Sequence, residues 1–210
     1  MKNKSYFFSG PNKVSFDSFF LTLSNRFRLP MIRCKAVKLP IPKNPMSPQG
    51  LSSSSSSTLR WKYDVFLSFR GEDTRTSFTD HLYDALKRKG VLTFRDDEKL
   101  ERGKSISQEL LNAIEESRFA IIIFSRNFAS STWCLNELEK IVRSVKETGL
   151  TILPVFYDVD ASDVPNQTGP FQNAFHDLED RFKENMEKVE IWRAALREVA
   201  NLAGWPLQNR

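Results

Sequence analysis

The sequence predicts an α/β domain: a doubly wound parallel sheet of four to five strands flanked by helices. Three observations carry that expectation. Lys62 to Thr74 reads KYDVFLSFRGEDT, a dense apolar and aromatic run that stops at the polar segment Arg70-Gly71-Glu72-Asp73. Arg118 to Phe124 reads RFAIIIF, apolar without alternation, as a central parallel strand covered on both faces requires. A helical pattern comes after each run, and alternation of strand and helix marks parallel βαβ units.

The first strand, Tyr63 to Phe69, reads as buried on both faces. From Thr76 to Lys89, Phe78, Leu82, Ala85 and Leu86 recur at helical spacing, and Gly90 supplies the left-handed residue that ends the helix. Val91 to Phe94 is a short second strand. It leads into the charged loop Arg95 to Lys104 (RDDEKLERGK), whose one aliphatic anchor is Leu100; such a loop after a strand is more often functional than a plain connector. Ser105 and Gln108 suit a capping box for a second helix with the stripe Ile106, Leu110, Ala113 and Ile114. After Phe124, a third helix begins near Ser131 or Thr132 and buries Leu135, Leu138, Val142 and Val145.

Thr151 to Tyr157 is the fourth strand, where Pro154, lacking an N–H, points to an edge or a bulge. No fifth strand stands out. A polar loop, Val159 to Gly169, precedes a charged helical stretch from Phe171 to Glu184. The last helix, Glu187 to Ala203, aligns Val189, Trp192, Leu196, Val199 and Ala203 and ends at Gly204 before Pro206. In flavodoxin-like order these elements bring three segments together at the carboxyl ends of strands, where such sheets take ligands. They are Ser68 to Thr74, Arg95 to Lys104 and the start of the helix holding Glu137.

Composition divides the 210-residue chain into an extension, residues 1–60, and a domain, 61–207. The extension holds ten Lys and Arg against one acid, Asp17, with twelve serines; the remainder holds 21 bases against 25 acids. The net charge of +5 therefore belongs to the extension, and without a basic stripe the domain itself argues against a nucleic-acid partner. A transit peptide, a disordered tail, or translation from Met46 each accounts for the extension. Cys34 and Cys134 form no CxxC, and with His81 and His176 they offer no zinc-ligand spacing, so no metal is expected. No apolar run approaches the roughly 18 residues that span a bilayer, so no integral membrane segment is expected.

Within the converging segments, Arg70 and the amide of Gly71 suit a pyrophosphate, because a guanidinium and exposed amides match phosphate oxygens. The acids of the third helix are harder to rank. The expected stripe leaves Glu137 and Glu139 each about 100° from its centre, on opposite sides, so periodicity does not choose between them. Both read as solvated flanks, whose replacement would change stability by no more than about 0.5 kcal/mol.

The run Asp64-Val-Phe-Leu-Ser-Phe-Arg-Gly-Glu-Asp-Thr-Arg75, followed by Leu100-Glu-Arg-Gly103 and Trp133-Cys-Leu-Asn-Glu-Leu138, resembles the Toll/interleukin-1 receptor (TIR) domain of plant immune receptors over roughly Trp61 to Trp205. The resemblance implies hydrolysis of the nicotinamide–ribose bond of NAD+ in plant defence signalling, with NAD+ as substrate and no cofactor. It implies Glu137 as the catalytic residue and Ser68, Phe69, Arg70, Gly71 and Glu98 as substrate-binding residues, Glu98 in one alternative coming from another subunit. Trp133 reads as a packing residue. The resemblance also implies self-association at Asp80 and His81, where the family often places Ser-His, with other TIR domains as partners and lipase-like immune signalling proteins downstream. A cytoplasmic location is expected, with nuclear or organellar address as alternatives.

Two departures stand out. The family's Asp-Pro-Ser-Asp-Val-Arg run is Asp160-Ala161-Ser162-Asp163-Val164-Pro165 here, which leaves the geometry of that loop open, and Asp80 adds a carboxylate to the association surface. The competing reading is a non-catalytic TIR–TIR adaptor, distinguished by activity on NAD+. A receiver domain lacks its phosphoacceptor at the right strand end, and a Rossmann dehydrogenase would need a GxGxxG that is absent. Longer members of the family continue into a nucleotide-binding module, so a TIR-only chain or a fragment is expected.

Overall fold

The computed structural model describes residues 61–96 and 108–208. Five parallel strands form one sheet in the order β2-β1-β3-β4-β5. They are β1 (Tyr63–Phe69), β2 (Thr93–Arg95), β3 (Ser117–Phe124), β4 (Thr151–Tyr157) and β5 (Trp205–Leu207). The helices are α1 (Gly71–Thr74), α2 (Asp80–Arg88), α3 (Gln108–Glu115), α4 (Thr132–Thr148), α5 (Asp163–Asn166), α6 (Pro170–Arg181) and α7 (Met186–Ala200). The expected flavodoxin-like order is thus found, with its switch point between β1 and β3.

The two-residue period of the strands sorts the core into two layers. Phe66, Ala120, Ile122, Phe124 and Phe156 face a layer with Leu110, Leu138, Phe175 and Trp192, from α3, α4, α6 and α7. Val65, Leu67, Phe69, Ile121, Ile123, Val155 and Tyr157 face the opposite layer with Phe78, Leu82 and Leu86. Central registers such as Leu67↔Ile121 and Ile121↔Leu153 place like-facing residues side by side.

Several boundaries differ from expectation. Helical structure begins at Gly71, so most of the presumed loop Ser68 to Thr74 is the end of β1 and a first helical turn; Glu72 and Asp73 in that turn suit its positive end. A π-helical turn, Arg75–Thr79, then kinks at Ser77 before α2 starts. The last helix stops at Ala200 rather than Ala203, which frees Trp205–Leu207 to pair with β4 through Val155↔Trp205 and Tyr157↔Leu207. A three-residue strand with a central proline carries no readable periodicity, hence its omission above. Pro154 sits in an unbroken register opposite Ile122, without a bulge, and β5 begins pairing only at Val155. The edge expectation therefore holds locally, on one side of β4.

The loop after β4 closes on its own side chains. Asp160 Oδ1 accepts from Ser162 N at 2.8 Å and from its hydroxyl at 2.7 Å, and Thr168 Oγ1 donates to Asp163 Oδ1 at 2.6 Å. Pro165 falls within the four-residue α5, in a first turn where a missing N–H costs nothing. The extension 1–60, the capping pair's Ser105, Ile106 and Glu98 lie outside the described residues. Among the described residues no helix is long and apolar enough to cross a membrane.

Candidate active site

The site starts from strand geometry. Ser68 shares the face of Phe66, which looks toward α4, and it stands one residue from the end of β1. Its hydroxyl donates to Glu137 Oε2 at 2.7 Å. Trp133, one helical turn before Glu137, donates Nε1–H to Oε1 at 2.7 Å. Both carboxylate oxygens are therefore held, and Trp133, which packs against the core as expected, also orients the carboxylate.

Glu137 is itself buried, at 4% exposure, and this corrects its reading as a solvated flank. The buried face of α4 is Cys134, Leu135, Leu138, Ile141 and Ser144, while Val145 is exposed. Including Cys134, Ile141 and Ser144 rotates the stripe so that Glu137 lies about 65° from its centre and Glu139 about 135°. Glu139 instead pairs outward with Lys188 of α7 at 2.5 Å and Arg143 at 3.1 Å.

Burial dominates the electrostatics. It pushes the Glu137 carboxyl up to about 8, against the hydrogen bonds from Ser68 and Trp133, which favour the charged form. The Asp96 carboxylate raises it further and the Arg75 guanidinium opposes that. The adjacent Cys134 thiol is pushed up to about 12, first by burial and then by Glu137, so it is an inert thiol whose Sγ lies 3.7 Å from the Phe69 carbonyl. Trp133→Phe keeps an aromatic ring, a smaller one, but removes the donor; the Glu137 titration is expected to move to higher pH, read from the pH dependence of melting.

The remaining candidates are placed unevenly. The Phe69 ring faces the opposite layer from Glu137, so only its main chain reaches the carboxylate's side. Gly71 opens α1, where the first amides have no intrahelical acceptor. Arg70 is turned to Glu72, and its Nε lies 3.9 Å from Asp73. Glu72 is exposed, so exchanging that pair for a phosphate costs little. Asp73 accepts from Ser125 Oγ at 2.5 Å and from Asn127 N and Nδ2 at 3.0 and 3.1 Å, which ties the α1 turn to the segment leading into α4.

Of the three segments expected to converge, the first and third thus meet directly. The second is seen through Arg95 and Asp96 at the end of β2. Asp80 accepts from Arg95 Nη1 at 2.9 Å, and the Arg95 guanidinium lies 4.2 Å from the Tyr83 ring centre. The added carboxylate is therefore neutralised within the chain, while His81 beside it is exposed. Sequence reading missed Asp73, Arg75 and Asp96. Only the four-residue spacing of Trp133 and Glu137 was a signal available in advance.

Among the described residues no cluster of His, Cys, Asp and Glu could hold a metal ion. Chemically, the arrangement offers one buried carboxylate with both oxygens hydrogen-bonded, at the switch point of the sheet, beside a guanidinium and a turn of amides. It suits a cationic, phosphate-bearing ligand.

The chain is 55% identical over 152 residues to the TMV resistance protein N of Nicotiana glutinosa and 55% identical over 160 residues to the disease resistance protein RPV1 of Vitis rotundifolia. These matches cover 72% and 74% of the chain but 13% and 11% of those relatives, so the chain spans about an eighth of their length. Among solved structures, the TIR domains of the activated Roq1 resistosome, which directly recognises the pathogen effector XopQ, match with a TM-score of 0.65 and 54% identity, over 69% of this chain and 87% of that one. The TIR domain family model matches residues 62–210. With the parallel five-stranded fold and the motifs in place, the chain belongs to the TIR domain family.

Proposed function

We propose that the chain is an NAD+ hydrolase that cleaves the nicotinamide–ribose bond in plant defence signalling. The observation that carries this reading is the buried Glu137 carboxylate, held on both oxygens by Ser68 and Trp133. Glycosidases ordinarily need a second carboxyl group to protonate the leaving alcohol. Nicotinamide instead leaves as a neutral base from a cationic substrate. The C1′–N bond breaks with its electron pair on nicotinamide, water adds at C1′, and one proton is released with the ADP-ribose product. A single carboxylate that holds the ribose hydroxyls and offsets oxocarbenium charge supplies the main electrostatic contribution.

A carboxyl raised to about 8 is largely protonated in the resting protein at neutral pH. A nicotinamide cation brought beside it favours ionisation, so binding releases a proton and specific activity rises with pH toward 8. In the pyrophosphate subsite, Arg70 exchanges Glu72 for phosphate oxygens and Gly71 offers its amide.

The test is incubation of the full chain with NAD+ while nicotinamide is followed over a hundredfold range of protein concentration. Release is expected, with activity per molecule rising as chains associate through the α2 surface around His81, since a partner domain excludes water from the cleft. Glu139→Ala should retain activity and lose only about 0.5–1 kcal/mol, because its partly exposed pair with Lys188 is its main contact. No nicotinamide release at any concentration would leave the second reading, a TIR–TIR association module acting with lipase-like signalling partners.

A further inference from the structure

Arg75 acts on the Glu137 carboxyl through its charge, and it also joins three parts of the site. Its Nη1 donates to the Asp96 carbonyl at 2.6 Å, at the end of β2. Its guanidinium carbon lies 5.1 Å from the centre of the Phe69 ring, at the end of β1. Its Nε lies 3.0 Å from where a Cβ on Gly71 would stand, so the side chain runs back against the α1 turn. Phe69 in turn touches α4 through its carbonyl and the Cys134 thiol, one helical turn before Leu138 and beside Glu137. The ends of two strands and the start of α4 are thereby linked across one half-buried side chain.

We propose that Arg75 is a positioning residue of this site, which clamps the end of β2 to the end of β1 and so holds Asp96 in fixed relation to Glu137. A hydrogen bond to the main-chain carbonyl fixes where the Asp96 backbone stands; the planar fork can serve it while lying over the ring, which a lysine ammonium cannot do in the same pose. The consequence for turnover rests on the NAD+-cleaving reading, but the clamp itself does not.

Several charged or titratable groups bear on the Glu137 carboxyl. Asp96 from β2 and Arg75 from the π-helical turn act on it directly, and Cys134 neighbours it on α4. Arg70 and Asp73 from the α1 turn act on Cys134. Ser68 and Trp133 contribute hydrogen bonds without charge. Asp96 is the acid whose influence depends on where the end of β2 is held.

The test is a cycle read on the Glu137 carboxyl by carbon-13 resonance in the full chain, with Glu137→Gln identifying the signal. Asp96→Asn is expected to lower the Glu137 midpoint by about one pH unit, tenfold in proton affinity. In an Arg75→Ala background that same replacement should lower it by less than half as much, because Asp96 is no longer held close. Arg75→Lys, which keeps the charge but loses the fork, should behave more like Arg75→Ala than like the parent. An Asp96→Asn effect that is unchanged or larger in the Arg75→Ala background would show that Arg75 acts through charge alone, and overturns the proposal. Nicotinamide release is measured alongside, with about a tenfold loss of kcat/KM expected for Arg75→Ala. A parent that titrates as described but cleaves no NAD+ defeats the functional reading, while the cycle still decides the role of Arg75.

Discussion

Glu137→Gln is expected to stabilise the protein above pH 7 and to leave it nearly unchanged near pH 4. The folded carboxyl sits at about 8, whereas an unfolded one titrates at its model value of 4.5. Between those values the folded state holds the proton and the unfolded state does not. Stability attributable to this group therefore falls as pH rises from 4.5 and levels off above 8, the reverse of the usual salt-bridged acid. The accumulated penalty is on the order of a few kcal/mol at pH 8, since each pH unit of the window contributes about 1.4 kcal/mol. Gln keeps the shape, accepts from Trp133 through its carbonyl and donates to the Ser68 hydroxyl, but carries no charge to desolvate. Melting temperatures of parent and variant should diverge across pH 5 to 8 and run parallel above it. Coincident curves throughout would mean that Glu137 ionises as freely as a surface acid.

Gly204→Ala is expected to destabilise the fold by about 1–3 kcal/mol, the usual cost of overpacking. A Cβ at this position would meet the Pro154 carbonyl and Phe156 Cε2, both at 2.7 Å, and a backbone oxygen has nowhere to go. Relief requires moving the chain away from β4, which breaks the Val155↔Trp205 and Tyr157↔Leu207 pairings and the Asp158 N–H to Leu207 carbonyl bond at 2.8 Å. Amides of β4 and β5 should then lose exchange protection while those of β1 and β3 keep it. Uniform protection with an unchanged midpoint in denaturant would contradict the packing described for β5.

How far the sequence disclosed all this depended on the length of the pattern. Arg118–Phe124 and Thr151–Tyr157 were readable because each is a long apolar run, and the two-layer sorting of Phe66 and Leu67 follows from the period of two alone. Trp205–Leu207 was not readable, since three residues hold no period and its pairing depends on Gly204 packing against Pro154. The start of α1 was misplaced because Arg70-Gly71-Glu72-Asp73 has loop composition and becomes helical only where Asp73 is fastened to Ser125 and Asn127. Glu137 shows the same limit at the site. Reading the stripe from Leu135, Leu138, Val142 and Val145 while passing over Cys134, Ile141 and Ser144 turned the helix by about a seventh of a circle and set the acid on a flank. Family resemblance picked out the residue, but its burial, and with it the raised pKa, came from tertiary packing.

NAD+ cleavage by this chain requires that the buried Glu137 carboxylate does chemistry. The most direct measurement is nicotinamide release from NAD+ at pH 8 by the full chain and by Glu137→Gln, with circular dichroism showing both folded. The parent should release nicotinamide and the variant should be slower by at least about a hundredfold, the scale of losing one preorganised electrostatic group. Equal rates in the two proteins would contradict it.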